Sequence, residues 1–239
     1  MGLGDAPIVA RGLRREFAGV PVLNGVDLDV AAGEVVVLLG SNGAGKTTLL
    51  RVLATLLRPS GGTLQLFGEN ASRRPPASRR RLGYVGHDSG CYPDLTGREN
   101  LEFHAELHDV PDAAARVADL LRWSGLDDAA RRPARTYSRG MIQRLALARV
   151  LLHAPELLLL DEPYSGLDPA AAARLDGLLR ELPRAGHAIV LSTHDIERVT
   201  PFATRIAILH RGRVARTERG GTDPLVVAAA YDGVLAGRA

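Results

Sequence analysis

Lys46 is the single lysine in a chain that holds thirty lysine and arginine residues. It stands in the run Gly40, Ser41, Asn42, Gly43, Ala44, Gly45, Lys46, Thr47, with Thr48 next. The spacing G-x-x-x-x-G-K-[ST] is that of a loop whose backbone N–H groups cradle a phosphate. Glycine lets the chain curl closely around the anion, and the helix that follows turns its positive end toward it. An ammonium on a slim stem suits such a loop, whereas the planar fork of arginine is too wide for one closed on a phosphate. The pattern points to nucleotide binding.

Further along, four leucines, Leu157 to Leu160, end in Asp161 and Glu162. A buried strand that delivers two carboxylates to the edge of a parallel sheet places them where ligands of such sheets sit. Asp161 suits Mg²⁺ through water. Glu162 is placed to polarise an attacking water. Alone, these acids read equally well as a solvated turn; the phosphate loop gives them a role. Upstream, Ser138 and Gly140 bring a hydroxyl and an unhindered N–H to a helix start, a second anion site and also an ordinary helix cap. Downstream, the run Ile189 to His194 ends a strand in histidine.

Elements that position these groups follow from periodicity. Glu34 to Leu39 is an apolar run of strand length between Gly33 and Gly40, and Thr48 to Leu57 reads as a helix ended by Pro59 to Gly62. Strands are expected over Ile8 to Phe17, Val22 to Val30, Thr63 to Phe67 and Leu82 to Val85, with a loop over 73–81. The pattern then turns helical: a capping box from Thr96 to Glu99 opens a helix to about His108. An amphipathic stretch covers Pro111 to Trp123, and Ser138 to Leu152 is a third helix stopped by Pro155. Beyond Leu157 come a strand, a helix capped by Asp168-Pro169, the strand Ala188 to Ser192, a short helix, a hairpin around Arg211-Gly212 and a last helix after Asp223-Pro224. The chain therefore reads as one α/β domain. Its core covers 7–87 and 156–216, a helical subdomain is inserted over 88–155, and a C-terminal helix lies within 217–239.

Bulk properties narrow the classes. At 239 residues and 46% hydrophobic content the chain is globular with a sizeable core. The formal charge of +3 is mild, and the basic clusters Arg73 to Arg81, Arg131 to Arg135 and Arg211 to Arg219 read as solvated loops; no nucleic acid partner is expected. One cysteine, Cys91, excludes an internal disulfide and fits a reducing compartment. The start, Met1 to Pro7, has no basic region or apolar stretch of a secretion signal. No run approaches the ~20 apolar residues of a membrane span.

The order of these pieces resembles the ATP-binding subunits of ABC transporters, over about residues 7–216. The signature loop of that family corresponds to Tyr137, Ser138, Arg139, Gly140 and Met141, its D-loop to Ser165 through Asp168, its switch histidine to His194, and its adenine-stacking aromatic to Phe17. The resemblance implies a P-loop NTPase fold of the ABC nucleotide-binding type, with a mixed sheet core, an N-terminal antiparallel β part and an inserted helical subdomain. It implies ATP and Mg²⁺ as cofactors. Two copies would pack head to tail, with each ATP between the phosphate loop of one and the signature of the other. Gly40 to Lys46 would hold the α- and β-phosphates and Lys46 also the γ-phosphate. Thr47 would ligate Mg²⁺, Thr48 would reach the α-phosphate, and His194 would touch the γ-phosphate. Integral membrane permease subunits would be the other partners, at the cytoplasmic face of the membrane.

Two departures stand out. The common signature is Leu-Ser-Gly-Gly-Gln; Tyr137, Arg139 and Met141 replace three of its five residues while Ser138 and Gly140 remain. At the Q-loop, Gly86-His87-Asp88 follows Leu82 to Val85, and His87 occupies or neighbours the place of the usual glutamine. That stretch, with the phosphate loop and Leu95 to Phe103, is similar to the haem exporter ATP-binding subunits of cytochrome c biogenesis. Tyr-Ser-Arg-Gly-Met also occurs in drug and polysaccharide exporter ATPases, which are the alternative. A chromosome-type ABC ATPase would insert a long coiled coil between Lys46 and Ser138, and no sustained heptads are present. A translation-type protein would carry two cassettes. An iron–sulfur-assembly ATPase fits the length.

Overall fold

Two antiparallel strands open the chain, β1 (Ile8–Phe17) and β2 (Val20–Val30), paired from Ile8 opposite Val30 to Phe17 opposite Val20. The computed structural model describes residues 6–73 and 76–237. β3 (Val35–Leu39) leads through the phosphate loop into α1 (Lys46–Leu53). β4 (Gly61–Leu66) and β5 (Glu69–Asn70) complete a four-stranded sheet in the order β2-β1-β4-β5. After α2 (Pro76–Arg80) and β6 (Leu82–Val85), three helices follow: α3 (Gly97–Leu107), α4 (Ala113–Ser124) and α5 (Arg139–Leu151). The rest comprises β7 (Leu157–Asp161), α6 (Pro169–Glu181), β8 (Ala188–Ser192), α7 (Ile196–Val199), β9 (Arg205–His210), β10 (Arg213–Arg219) and α8 (Pro224–Leu235).

The second sheet runs β10-β9-β3-β8-β7-β6; β3, β6, β7, β8 and β9 are parallel and β10 is an antiparallel edge. The central strands β3, β7 and β8 are continuous buried runs because both faces are covered. Val35, Val37 and Leu39 enter one core while Val36 and Leu38 enter another; Leu158 and Leu160 part from Leu157 and Leu159 in the same way. The first core lies under α3, α4, α5, α6 and α8. The second holds Leu49, Leu50, Val52 and Leu53 of α1 between the two sheets. Side-chain alternation along a strand thus seats the phosphate loop at the carboxyl end of a strand buried on both sides.

Several expectations need correction. α1 ends at Leu53 rather than Leu57, because Thr55 takes a left-handed conformation at φ 59. The amides of Leu56 and Thr55 bond back to Arg51 and Val52 carbonyls at 2.9 and 3.0 Å. This is the Schellman stop, with a β-branched residue where glycine is usual. Gly61 and Gly62 do not break the chain; they begin β4, where a Cβ on Gly62 would overlap the Gly12 carbonyl of β1. The stretch 73–81, expected as a loop, contains α2, started by Pro76 at its first position; Arg74 and Pro75 lie outside the described residues, as do Met1 to Asp5. The segment from 217 begins with the end of β10, and its helix is confined to Pro224–Leu235. Among the described residues, no helix is long and apolar enough to cross a membrane.

Three histidines lie close together where α3 packs on α5 and α5 on β6. His104 Nε2 lies 3.3 Å from the Gly90 carbonyl, His153 Nε2 lies 3.2 Å from that of Leu82, and the rings of His108 and His153 stack at 4.1 Å. Burial, then nearby Arg149, lowers His104 to about 4; burial, then nearby His108, lowers His153 to about 4. The unfolded chain, with imidazoles near ~6.5, takes up protons first as pH falls. Stability contributed by these groups is fully present above pH ~6.5 and is lost on the way down to about 4. We expect the melting temperature to fall across this window, and less steeply in the His104→Gln/His153→Gln protein. Equal slopes in the two proteins would count against the account.

Candidate functional site

The phosphate loop is shaped by close backbone approaches. A Cβ at Gly40 would sit 2.7 Å from the Leu209 carbonyl oxygen of β9, and one at Gly45 would sit 2.9 Å from that of Val22. Gly45 also has φ 107 and is the N-cap of α1 without a side-chain cap. The first-turn amides of α1 therefore have no side chain over them and are left for an anion. Lys46 is buried, and its ammonium donates to the carbonyl oxygens of Gly40 at 2.6 Å and Ser41 at 3.3 Å. A cavity of about 230 Å³ is lined by Ser41, Asn42, Gly43, Ala44, Gly45, Lys46, Thr47 and Thr48, together with Val22, Asp161 and Glu162.

The carboxylates come from the adjacent strand but one. Asp161 ends β7, is buried, and its Oδ1 accepts from Ser192 Oγ at 2.6 Å. The same Ser192 oxygen accepts from the Glu162 amide at 3.0 Å. Glu162 has φ 48, a conformation held only when its surroundings over-determine it. Its Oε2 lies 3.1 Å from His194 Nδ1, and the His194 side chain is 88% exposed. Thr47 and Asp161 bring a hydroxyl and a carboxylate to one cavity, a hard oxygen donor set that fits Mg²⁺. Ser192 was not singled out by its sequence; its role as the hub of both acids depends on β8 lying beside β7.

A second cleft, about 540 Å³, shares Thr47, Asp161 and Glu162 with the first and adds His87, Gly86, Ser89, Arg51, Arg139, Ile142, Gln143 and Ser165. His87 thus faces the cleft of the acids from the loop after β6. Arg149 of α5 holds that loop, donating to the carbonyls of Ser89 at 3.2 Å and Tyr84 at 3.3 Å; nothing in its helical position announces this.

The signature residues lie at the start of α5. Ser138 is its N-cap and accepts from the Met141 amide at 3.2 Å. Tyr137 is buried, with its hydroxyl donating to the Ala129 carbonyl at 2.8 Å. Arg139 reaches the second cleft, whereas Ser138, Gly140 and Met141 line neither cavity. Asp168 caps α6 through the Ala171 amide at 2.8 Å, and this bond holds its carboxyl below the usual range. Phe17 ends β1 with 43% of its surface exposed and the Arg15 guanidinium 4.5 Å over its ring. It does not line the loop cavity.

The family profile described as ABC transporter matches residues 23–165. A daunorubicin resistance ATP-binding protein of Streptomyces coeruleorubidus is 41% identical over 214 residues, covering 89% of this chain and 68% of that protein. A daunorubicin/doxorubicin resistance ATP-binding protein of Streptomyces peucetius is 41% identical over 209 residues, 87% of this chain and 63% of its own length. A Nod factor export ATP-binding protein of Ralstonia nicotianae is 37% identical, covering 89% of this chain and 67% of that protein. The chain thus spans about two-thirds of the length of these relatives. Among solved structures, the ATP-binding subunit of an ABC transporter superimposes with a TM-score of 0.84 at 29% identity, covering 95% of this chain and 94% of that one. A dimeric ATP-binding cassette bound to ADP and Pi superimposes at 0.82 with 26% identity, covering 89% and 98%.

Proposed function

This chain belongs to the ABC transporter family of ATP-binding proteins, and from that premise we propose that it powers export of drug-like or Nod-factor-type molecules through separate integral membrane permease subunits. It is an ATPase that binds ATP with Mg²⁺. The observation that carries the export reading is the 41% identity to daunorubicin resistance ATP-binding proteins across most of this chain. The working unit is a head-to-tail pair of two copies at the cytoplasmic face of the membrane; the dimeric cassettes to which the chain is similar support the pairing.

Roles for the residues follow the same reading. Gly40, Ser41, Asn42, Gly43, Ala44, Gly45 and Lys46 hold the phosphates, with Thr48 at the α-phosphate. Thr47 and Asp161 hold Mg²⁺. Glu162 orients the attacking water, supported by its contact with His194, which itself touches the γ-phosphate. Ser138, Arg139, Gly140 and Met141 serve the partner's ATP, Asp168 lies at the same interface, and Phe17 offers an exposed ring to adenine. His87 stands at the Q-loop position, supported by its place in the cleft of Asp161 and Glu162.

Haem export is the second reading. In its favour stands the resemblance of Gly86-His87-Asp88, together with the phosphate loop and Leu95 to Phe103. The relatives above are named for drug resistance and Nod factor export, which favours the alternative. To test this, the tagged chain is isolated from detergent-solubilised membranes and its ATP turnover measured with an anthracycline or with haem. We expect integral membrane subunits to accompany it and the anthracycline to stimulate turnover. Stimulation by haem alone would transfer the assignment to haem export.

A further inference from the structure

The start of α5 does more than face a partner: it grips the segment 162–168 of its own chain. Arg139 Nη2 donates to Ser165 Oγ at 2.9 Å. The aliphatic stem of Arg139 lies against Gly166, where a Cβ would meet its Cγ at 3.4 Å and its Cδ at 3.6 Å. One residue on, the backbone of Gly140 is so close that a Cβ there would overlap the Gly166 carbonyl oxygen. One turn further, Gln143 Nε2 donates to the Pro163 carbonyl at 3.1 Å.

The gripped segment begins with the left-handed Glu162 at φ 48 and ends with Asp168 capping α6. Within it the Ser165 amide donates to the Glu162 carbonyl at 3.0 Å and the Leu167 amide to that of Tyr164 at 3.1 Å, while the Glu162 amide is tied to Ser192 of β8. On its other side the Tyr164 hydroxyl donates to Asp176 of α6 at 2.7 Å. A carboxylate on an unfavourable backbone conformation keeps its place only while neighbours hold it there. A long side chain with an apolar stem and a terminal donor covers Gly166 and reaches Ser165 together.

We propose that Arg139 is a positioning residue for Glu162 of its own chain. Through Ser165 and Gly166, the position of α5 is transmitted to the carboxylate that orients the attacking water. The proposal rests on the assignment of that role to Glu162. It adds a function within the chain to a residue whose motif is otherwise read as facing the partner's nucleotide.

The test is a double-mutant cycle of Arg139→Ala, Ser165→Ala and the pair, in the full-length protein. For Arg139→Ala, kcat is expected to fall about tenfold with KM for ATP within about twofold, as for a group that acts only on the transition state. For Ser165→Ala the fall is about threefold, and the pair is no worse than Arg139→Ala alone, because the two act through one contact. Arg139→Lys restores part of the loss. Hydrogen exchange with MgATP bound gives a readout independent of turnover: exchange at the amides of 162–168 rises in Arg139→Ala while that at 40–48 does not. Additive losses, a raised KM at unchanged kcat, or unchanged exchange at 162–168 would each overturn the proposal. Normal turnover in Glu162→Gln would instead remove the underlying role of Glu162, while the exchange data still report whether the grip exists.

Discussion

Lys46→Arg is expected to lower ATP turnover by about 10²-fold or more, although the charge is retained. The ammonium sits in a buried place, 2.6 Å from the Gly40 carbonyl and 3.3 Å from that of Ser41. The loop is held against its neighbours at two of its glycines. Gly45 is pressed on Val22 and Leu23, and Gly40 on Leu209, with no room for even a Cβ to be added. A larger planar group must therefore leave the loop or displace the phosphates. Either outcome removes a preorganised charge from the position where negative charge develops, which is the largest type of loss mutagenesis of such sites produces. Steady-state hydrolysis by the purified protein, with a melting curve to show that the fold persists, measures this. Turnover near that of the unmodified protein would show that the loop tolerates arginine, and the isolation of one lysine among thirty basic residues would lose its physical reason.

Loop, acids and cap were legible because each depends on local chemistry. The apolar run ahead of Gly40 has to be a strand covered on both faces, and the exchange of N–H bonds between Thr96 and Glu99 is a reciprocal cap encoded in four residues. The stop of α1 was illegible for the opposite reason. Thr55 occupies the place where glycine would have announced the left-handed turn. The same holds for Ser192, Arg149 and the pair Arg139 and Ser165. Their roles exist only after strands β7 and β8 lie side by side and α5 comes against Ser165 and the loop after β6. His87 was marked by its departure from a motif, and the fold brings it to the cleft of Asp161 and Glu162. Cargo leaves no mark in these residues, because the phosphate chemistry is the same whatever is transported; resemblance at the Q-loop points to haem exporters, while the relatives found by overall likeness are named for drug resistance and Nod factor export.

Glu162→Gln is expected to bind MgATP yet lose hydrolysis by about 10²- to 10³-fold, a size typical of removing one group that acts on the reacting water. The change is nearly isosteric. The Glu162 amide keeps its bond to Ser192, Ser192 keeps Asp161, and the amide side chain can still face His194 at the present 3.1 Å. The phosphate loop and the proposed Mg²⁺ donors therefore stay as they are, and only the negative charge proposed to polarise water disappears. If ATP is held between the loop of one copy and the signature of another, a protein that binds but does not cleave it accumulates as the pair. Size-exclusion chromatography with MgATP should then show a species of twice the mass of one chain, returning to the single chain when nucleotide is removed. Normal hydrolysis in this variant would take the catalytic role from Glu162. A stalled variant that remains a single chain would leave the carboxylate its role and deny the isolated subunit the head-to-tail pair.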